Sequence, residues 1–133
     1  MIKEVFVKTS SRTELVDITH KVEEIVSASN IHSGICMVFV PHTTAGVTIN
    51  ENADPSVQRD ILHELNKLIP FDDDYSHTEG NSAAHVKSSI IGASMTMIIE
   101  NGSLKLGTWQ GIYFCEFDGP RNRKVWIKLV KDK

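Results

Sequence analysis

The amino-acid sequence predicts a strand-rich α+β domain, and three observations carry that expectation. Short apolar runs with period-two alternation recur along the chain, two stretches place apolar residues at helical spacing, and Asn101-Gly102 between β-prone runs is a tight-hairpin signal. The 133 residues, 41% hydrophobic and 23% charged, suit one domain over 1–133 with a single core. They are too few for a (β/α)₈ barrel, which needs roughly 200 residues.

Ile2 to Thr9 alternates Val and Phe with polar residues and predicts a strand. Ser10-Ser11-Arg12 breaks it, and Glu14 to Ile18 predicts a second strand that forms a hairpin with the first. Thr19 is placed to cap a helix carrying Val22, Ile25 and Val26 and ending near Asn30. Gly34 to Val40 is almost wholly apolar, the pattern of a central strand covered on both faces. Val47 to Asn50 is another short β run. Asp54-Pro55 then supplies an acidic N-cap and a proline at the first helical position, and Val57, Ile61, Leu65 and Leu68 repeat down one helical face. Phe71 to Asn81 has no periodicity and predicts a long loop, the kind of segment that carries function in a compact domain. A short helix follows from Ser82 to Ile91. Ser94 to Glu100 leads into the Asn101-Gly102 turn, and Thr108 to Phe117 and Lys124 to Val130 read as two strands joined by a polar loop.

Fourteen Lys plus Arg against seventeen Asp plus Glu leave a net charge of −3, so no basic surface steers the chain onto nucleic acid or an anionic membrane. Cys36 and Cys115 lie inside apolar runs, where a thiol is expected to pack as a small hydrophobe rather than join a disulfide or attack a substrate. The first residues carry charge where a secretory signal needs an apolar run, and no stretch approaches the roughly 18 apolar residues of a membrane span. The expected compartment is the cytoplasm.

Residues able to do acid–base, metal or phosphate chemistry concentrate at the ends of these elements, where a rigid scaffold presents side chains into a common cleft. His42, His77 and His85, with Glu51 or Glu79, are enough imidazole and carboxylate for a three-ligand metal site with an open position. Their spacing matches neither a His-Glu-x-x-His helix nor a paired-cysteine motif. His20, His32 and His63 sit beside charged residues on or near helices and read as ordinary surface histidines. Asp54 is explained by capping, which leaves Glu51 the more interesting carboxylate. Arg121, after Asp118-Gly119-Pro120, offers a planar guanidinium to a phosphate or carboxylate, and Lys87, two residues past His85, adds a second cation. No Walker A or Gly-x-Gly-x-x-Gly run is present, so those nucleotide-binding loops are not expected.

Four runs occur in order: His42-Thr43-Thr44 through Asp54-Pro55, His77-Thr78-Glu79-Gly80-Asn81 through Lys87, Gly107-Thr108-Trp109-Gln110-Gly111, and Glu116-Phe117-Asp118-Gly119-Pro120-Arg121. Together they closely resemble the YjbQ family, small cytoplasmic proteins described as secondary thiamine-phosphate synthases. The resemblance implies a mixed, mostly antiparallel sheet curved into a partial barrel, two to three helices packed on it, and a homotrimer. It implies the joining of hydroxymethylpyrimidine diphosphate to a thiazole phosphate. For that chemistry it implies catalytic Glu51, Glu79, His85 and Asp118, with ligand contacts from Thr43, Thr44, Asn52, Asn81, Gln110, Glu116 and Arg121, to which the charge of Lys87 would add a contact with the diphosphate. It also implies a divalent metal, either zinc on His42, His77 and His85 or magnesium brought with the diphosphate. The expected partner is a small phosphorylated molecule or another small anion. Two other readings of the same polar cluster compete with the transferase: a metal-dependent hydrolase using a zinc-bound water, and a non-enzymatic trimer that binds a small anion.

Overall fold

The computed structural model describes residues 2–133. Its elements run β1 (Ile2–Lys8), β2 (Glu14–Asp17), α1 (Thr19–Ser29), β3 (Gly34–Phe39), β4 (Ala45–Glu51), α2 (Pro55–Leu68), α3 (Ser82–Ile91), β5 (Ser94–Glu100), β6 (Ser103–Leu104), β7 (Gln110–Glu116) and β8 (Asn122–Lys131). The strands form two sheets, ordered β1-β8-β3-β5-β6 and β2-β7-β4, one of them curled into a half-barrel. The α+β class therefore holds, with one correction: every strand pair is antiparallel, so neither sheet is mixed. The reason lies in the connections. A parallel pair needs a crossover that returns to its own sheet. Here α1 links β2 to β3 of the other sheet, and α2 with α3 link β4 to β5 of the other sheet.

The expected β1–β2 hairpin does not form. β1 pairs with β8, from Ile2↔Lys128 to Lys8↔Asn122, while β2 pairs with β7, from Glu14↔Glu116 to Asp17↔Tyr113. The residues between β1 and β2 cross from one sheet to the other, and so do those between β7 and β8. These two crossings run side by side: Thr9 N–H donates to the Arg121 carbonyl (3.0 Å) and Gly119 N–H to the Arg12 carbonyl (3.0 Å).

The main core lies between the inner faces of the two sheets. Val7, Cys36, Val38, Met97, Ile99, Val125 and Ile127 from one sheet meet Val47, Ile112 and Phe114 from the other, with Val22 and Val26 of α1 closing the side. The far face of β7 carries Cys115 and packs with Phe117 against Ala84 and Ile91 of α3 and Leu65 of α2. Both thiols are free and buried. Desolvation pushes Cys36 up to about 11 and Cys115 up to about 12, so both behave as the inert hydrophobes their sequence context predicts.

Local chemistry accounts for most element ends. Asp54 accepts the Ser56 N–H (2.9 Å) and opens α2, as expected. Asn101 and Gly102 adopt φ of 54° and 77°, the left-handed pair of a tight hairpin turn. Thr19, in contrast, does not cap α1. Ile18 holds that position, and the Thr19 hydroxyl donates to Asp17 Oδ1 (2.6 Å) and accepts the Ile112 N–H (2.8 Å), pinning the helix to β7.

β3 is central in its sheet but alternates strictly between buried and exposed residues, so only one of its faces is covered within the chain. Its outer residues Ile35, Met37 and Phe39 continue into Ile98 (57% exposed) and Val130, and Phe39 stacks on Trp126 with ring centres 6.0 Å apart. The α2 face is also half-covered, ending at Leu68 (73% exposed). No helix among the described residues is long and apolar enough to cross a membrane.

β3 and β8 approach so closely at one end that a Cβ on Gly34 would lie 2.1 Å from the Val130 carbonyl oxygen. Gly34→Ala is expected to lower the unfolding free energy by about 1–3 kcal/mol, measured by urea denaturation. An unchanged midpoint would show that the strands part without cost.

Candidate functional site

The site is organised around a buried ion pair. Arg123 falls on the inner face of β8, in register with Val125 and Ile127, and meets Glu116 at the end of β7; both side chains are almost wholly excluded from solvent. Arg123 Nε donates to Glu116 Oε1 (2.9 Å), its Nη2 donates to Glu116 Oε2, and the same Nη2 donates to Thr44 Oγ1 (2.9 Å). Glu116 also accepts from the Thr9 hydroxyl (2.7 Å) and the Asp118 N–H (3.0 Å). Burial alone would raise the Glu116 carboxyl, but the hydrogen bonds from Arg123, Thr9 and the Asp118 amide outweigh it and hold the group below its ordinary value.

This network places Thr44, Asp118 and Arg121 along one wall of a cleft of about 310 Å³, whose other walls are Thr43, His77, Glu79, Asn81 and His85. Arg121 donates through Nε to the Asp118 carbonyl (2.9 Å) and through Nη2 to Asp118 Oδ2 (3.1 Å), which fixes the plane of a guanidinium that is half exposed. Asn81 Nδ2 also donates to Asp118 Oδ2 (2.9 Å). That carboxylate sets the amide's orientation and leaves Asn81 Oδ1 buried with no partner. His77 and His85 meet edge to face with ring centres 5.3 Å apart, and His77 Nε2 lies 3.9 Å from Glu79. Asn81 sits at the N-cap of α3 without capping it through its side chain, so the first-turn amides add positive potential at the cleft.

α3 positions His85 by packing on β4. Ser88 Oγ donates to the Thr43 carbonyl (2.6 Å), and Val47 N–H donates to the Gly92 carbonyl just past the helix (3.1 Å). A second hollow, about 510 Å³, lies beyond this contact, with His42 and His85 both on its rim. His42 stands past the end of β3, where Lys124 of β8 has lost its neighbour on that side, and its Nε2 lies 3.1 Å from both the N–H and the carbonyl of Lys124. Burial first, then the charge of Arg123, lowers the His42 pKa, which favours the neutral ring that accepts the Lys124 N–H.

Eight of the expected site residues thus converge: Thr43, Thr44, His77, Glu79, Asn81, His85, Asp118 and Arg121. Six others stand apart within the chain. Glu51, paired in register with Gln110, ends β4, about 20 Å along the strand from Ala45 at about 3.4 Å per residue. Asn52 lies beside it, packed on Gly111. Glu116 is turned inward to Arg123 and buried. Lys87 is buried behind Phe71. His42 is engaged with Lys124. Among the described residues no three His, Cys, Asp or Glu side chains gather around one point, so the expected His42, His77 and His85 shell is not assembled within one chain.

The sequence profile described as "UPF0047 protein YjbQ-like" matches residues 3–132. The chain belongs to the YjbQ family. A UPF0047 protein of Methanocaldococcus jannaschii is 55% identical over 96% of this chain and 92% of its own, and the UPF0047 protein YugU of Bacillus subtilis is 53% identical over 98% and 99%. A crystal structure of a YjbQ/UPF0047 protein from Clostridium acetobutylicum, 58% identical, superposes with a TM-score of 0.95 over 96% of this chain and 99% of that one. A Sulfolobus solfataricus protein of the same fold, 34% identical, superposes equally well over 99% and 97% and is described as of unknown function.

For this YjbQ-family chain the residues that sequence reading missed are Arg123, Thr9, Arg12 and Phe71. Arg123 carried a usable signal: an arginine at an inward-facing position of an alternating strand. Because Glu116 has a depressed folded-state pKa, its contribution to stability is present above the unfolded value near 4.5 and is lost as pH falls through the lower folded value. Glu116→Gln is expected to cost about 3–5 kcal/mol at pH 7 and to flatten the loss of stability between pH 5 and 3, read from urea midpoints across pH.

Proposed function

We propose that the Arg121, Asn81, His77 and His85 cleft binds a small phosphorylated molecule and supports a transfer of the thiamine-phosphate synthase type. One observation carries the reading. The cleft gathers a guanidinium and two imidazoles, while its Asp118 carboxylate is already taken up by Asn81 and Arg121. In the reaction a thiazole nitrogen attacks the methylene carbon of the pyrimidine, a C–N bond forms, and the C–O bond to diphosphate breaks with its electron pair leaving on the diphosphate. No side-chain nucleophile is required. Positioned donors that meet the growing negative charge are the main catalytic need.

A resident zinc does not fit the three histidines as they stand, because His42 is turned to β8. The divalent ion in this reading is magnesium carried in by the diphosphate, with Glu79 the solvent-facing carboxylate of the cleft. Homotrimer assembly accompanies the reading, and the bare apolar face of β3, β5 and β8 is the surface we assign to it.

Purified protein incubated with both phosphorylated heterocycles and Mg²⁺ is expected to form thiamine phosphate. Arg121→Gln should lower kcat/KM by about 10²-fold, and no product from the parent protein would end the proposal. Sedimentation is expected to give three times the chain mass, and Phe39→Glu to shift it toward one. A single-chain mass for the parent at all concentrations would remove the trimer.

A further inference from the structure

Lys87 is the sole lysine with no exposed surface among the described residues, and its ammonium nitrogen has no hydrogen-bond partner there. It rests 4.0 Å from the centre of the Phe71 ring, and the Arg12 guanidinium carbon rests 3.5 Å from the same centre. Neither cation has a carboxylate partner among the described residues. Asp72, Asp73 and Asp74, next to Phe71, are exposed and bond to neither. Burial first, and then the Arg12 charge, pulls Lys87 down to about 8. A desolvated ammonium is costly, and contact with one aromatic face returns only part of that cost. A methionine would fill the same volume without the penalty, so packing does not explain the amine.

Arg12 and Lys87 touch the same ring, so their charged groups are at most about 7.5 Å apart, a gap that a phosphate or diphosphate group spans once the ring has left it. All three residues are tied to the cleft. Lys87 follows His85 on α3, the Arg12 carbonyl accepts from Gly119 beside Asp118, and Phe71 opens the loop that ends in His77, Glu79 and Asn81. The backbone hydrogen bond found within that loop is local, Tyr75 N–H to the Asp73 carbonyl (2.9 Å), so the ring can move without breaking a sheet or a helix.

We propose that Arg12 and Lys87 form an anion subsite for a phosphate or diphosphate group, covered by Phe71 and opened when the ring swings aside. The subsite stands apart from the cleft reading, because it is tested by anion binding in a chain whose cleft arginine has been removed. Calorimetric titration of full-length Arg121→Gln protein with inorganic pyrophosphate is expected to show binding. Adding Lys87→Met or Arg12→Gln should weaken that binding at least tenfold, and adding Phe71→Ala should strengthen it several-fold by removing the competing ring. Lys87→Met should also raise the thermal midpoint without ligand, since a buried unpaired charge is gone. A parallel titration with hydroxymethylpyrimidine diphosphate separates the sources: tighter binding than pyrophosphate assigns the subsite to an organic diphosphate, and equal binding to the inorganic ion. Pyrophosphate binding that is absent, that is unchanged by both Lys87→Met and Arg12→Gln, or that weakens in Phe71→Ala overturns the inference. The exposed Arg12 variant keeps the test valid if Lys87→Met folds poorly. Failure here leaves thiamine phosphate formation by the parent protein untouched.

Discussion

Arg123 and Glu116 stand on strands of different sheets, and their contact closes the gap between two of the crossings that join those sheets, β1 to β2 and β7 to β8. Thr9 reaches the pair from one crossing and the Asp118 amide from the other, while Thr44 adds the start of β4. An ion pair taken out of water is tolerated only when its remaining hydrogen-bonding capacity is met. Here both Glu116 oxygens and two Arg123 nitrogens have partners. The geometry of Asp118, and through it of Asn81 and Arg121, is inherited from that buried contact.

α3 performs the complementary task from the opposite wall. Its small residues Ala83 and Ala84 let it sit close, Ser88 holds Thr43, and its C-terminal end meets β4 at Gly46 and Val47. One ten-residue helix thereby presents His85 outward to the cleft and Lys87 inward to Phe71. The same element borders both an accessible polar hollow and a concealed cation.

What the sequence made legible follows the range of the interactions involved. The helix at Ser82–Ile91, the Asp54-Pro55 start and the Asn101-Gly102 turn depend on neighbouring residues and were readable from them. The β1–β2 hairpin was misread because alternation marks a strand without saying which sheet it joins. β3 was read as covered on both faces because Ile35, Met37 and Phe39 are as apolar as the residues opposite, and composition does not tell whether a neighbour covers them. The motif runs around His42, His77 and Asp118 did mark a common region, yet chain geometry alone decides that Glu51 and Gln110 end up at the other end of β4 and β7. Glu116, expected as a ligand contact, is buried against Arg123, seven residues away and on the other sheet, a pairing its own neighbours do not reveal.

The uncovered apolar surface lies on the face of the five-stranded sheet, while its edges are poor templates. β6 is two residues long, and β1 carries Lys3, Glu4 and Lys8 along the opposite margin. Charged side chains on an edge strand discourage strand addition there. The exposed apolar residues Ile35, Met37, Phe39, Ile98 and Val130 thus lie across one sheet face rather than along its margins.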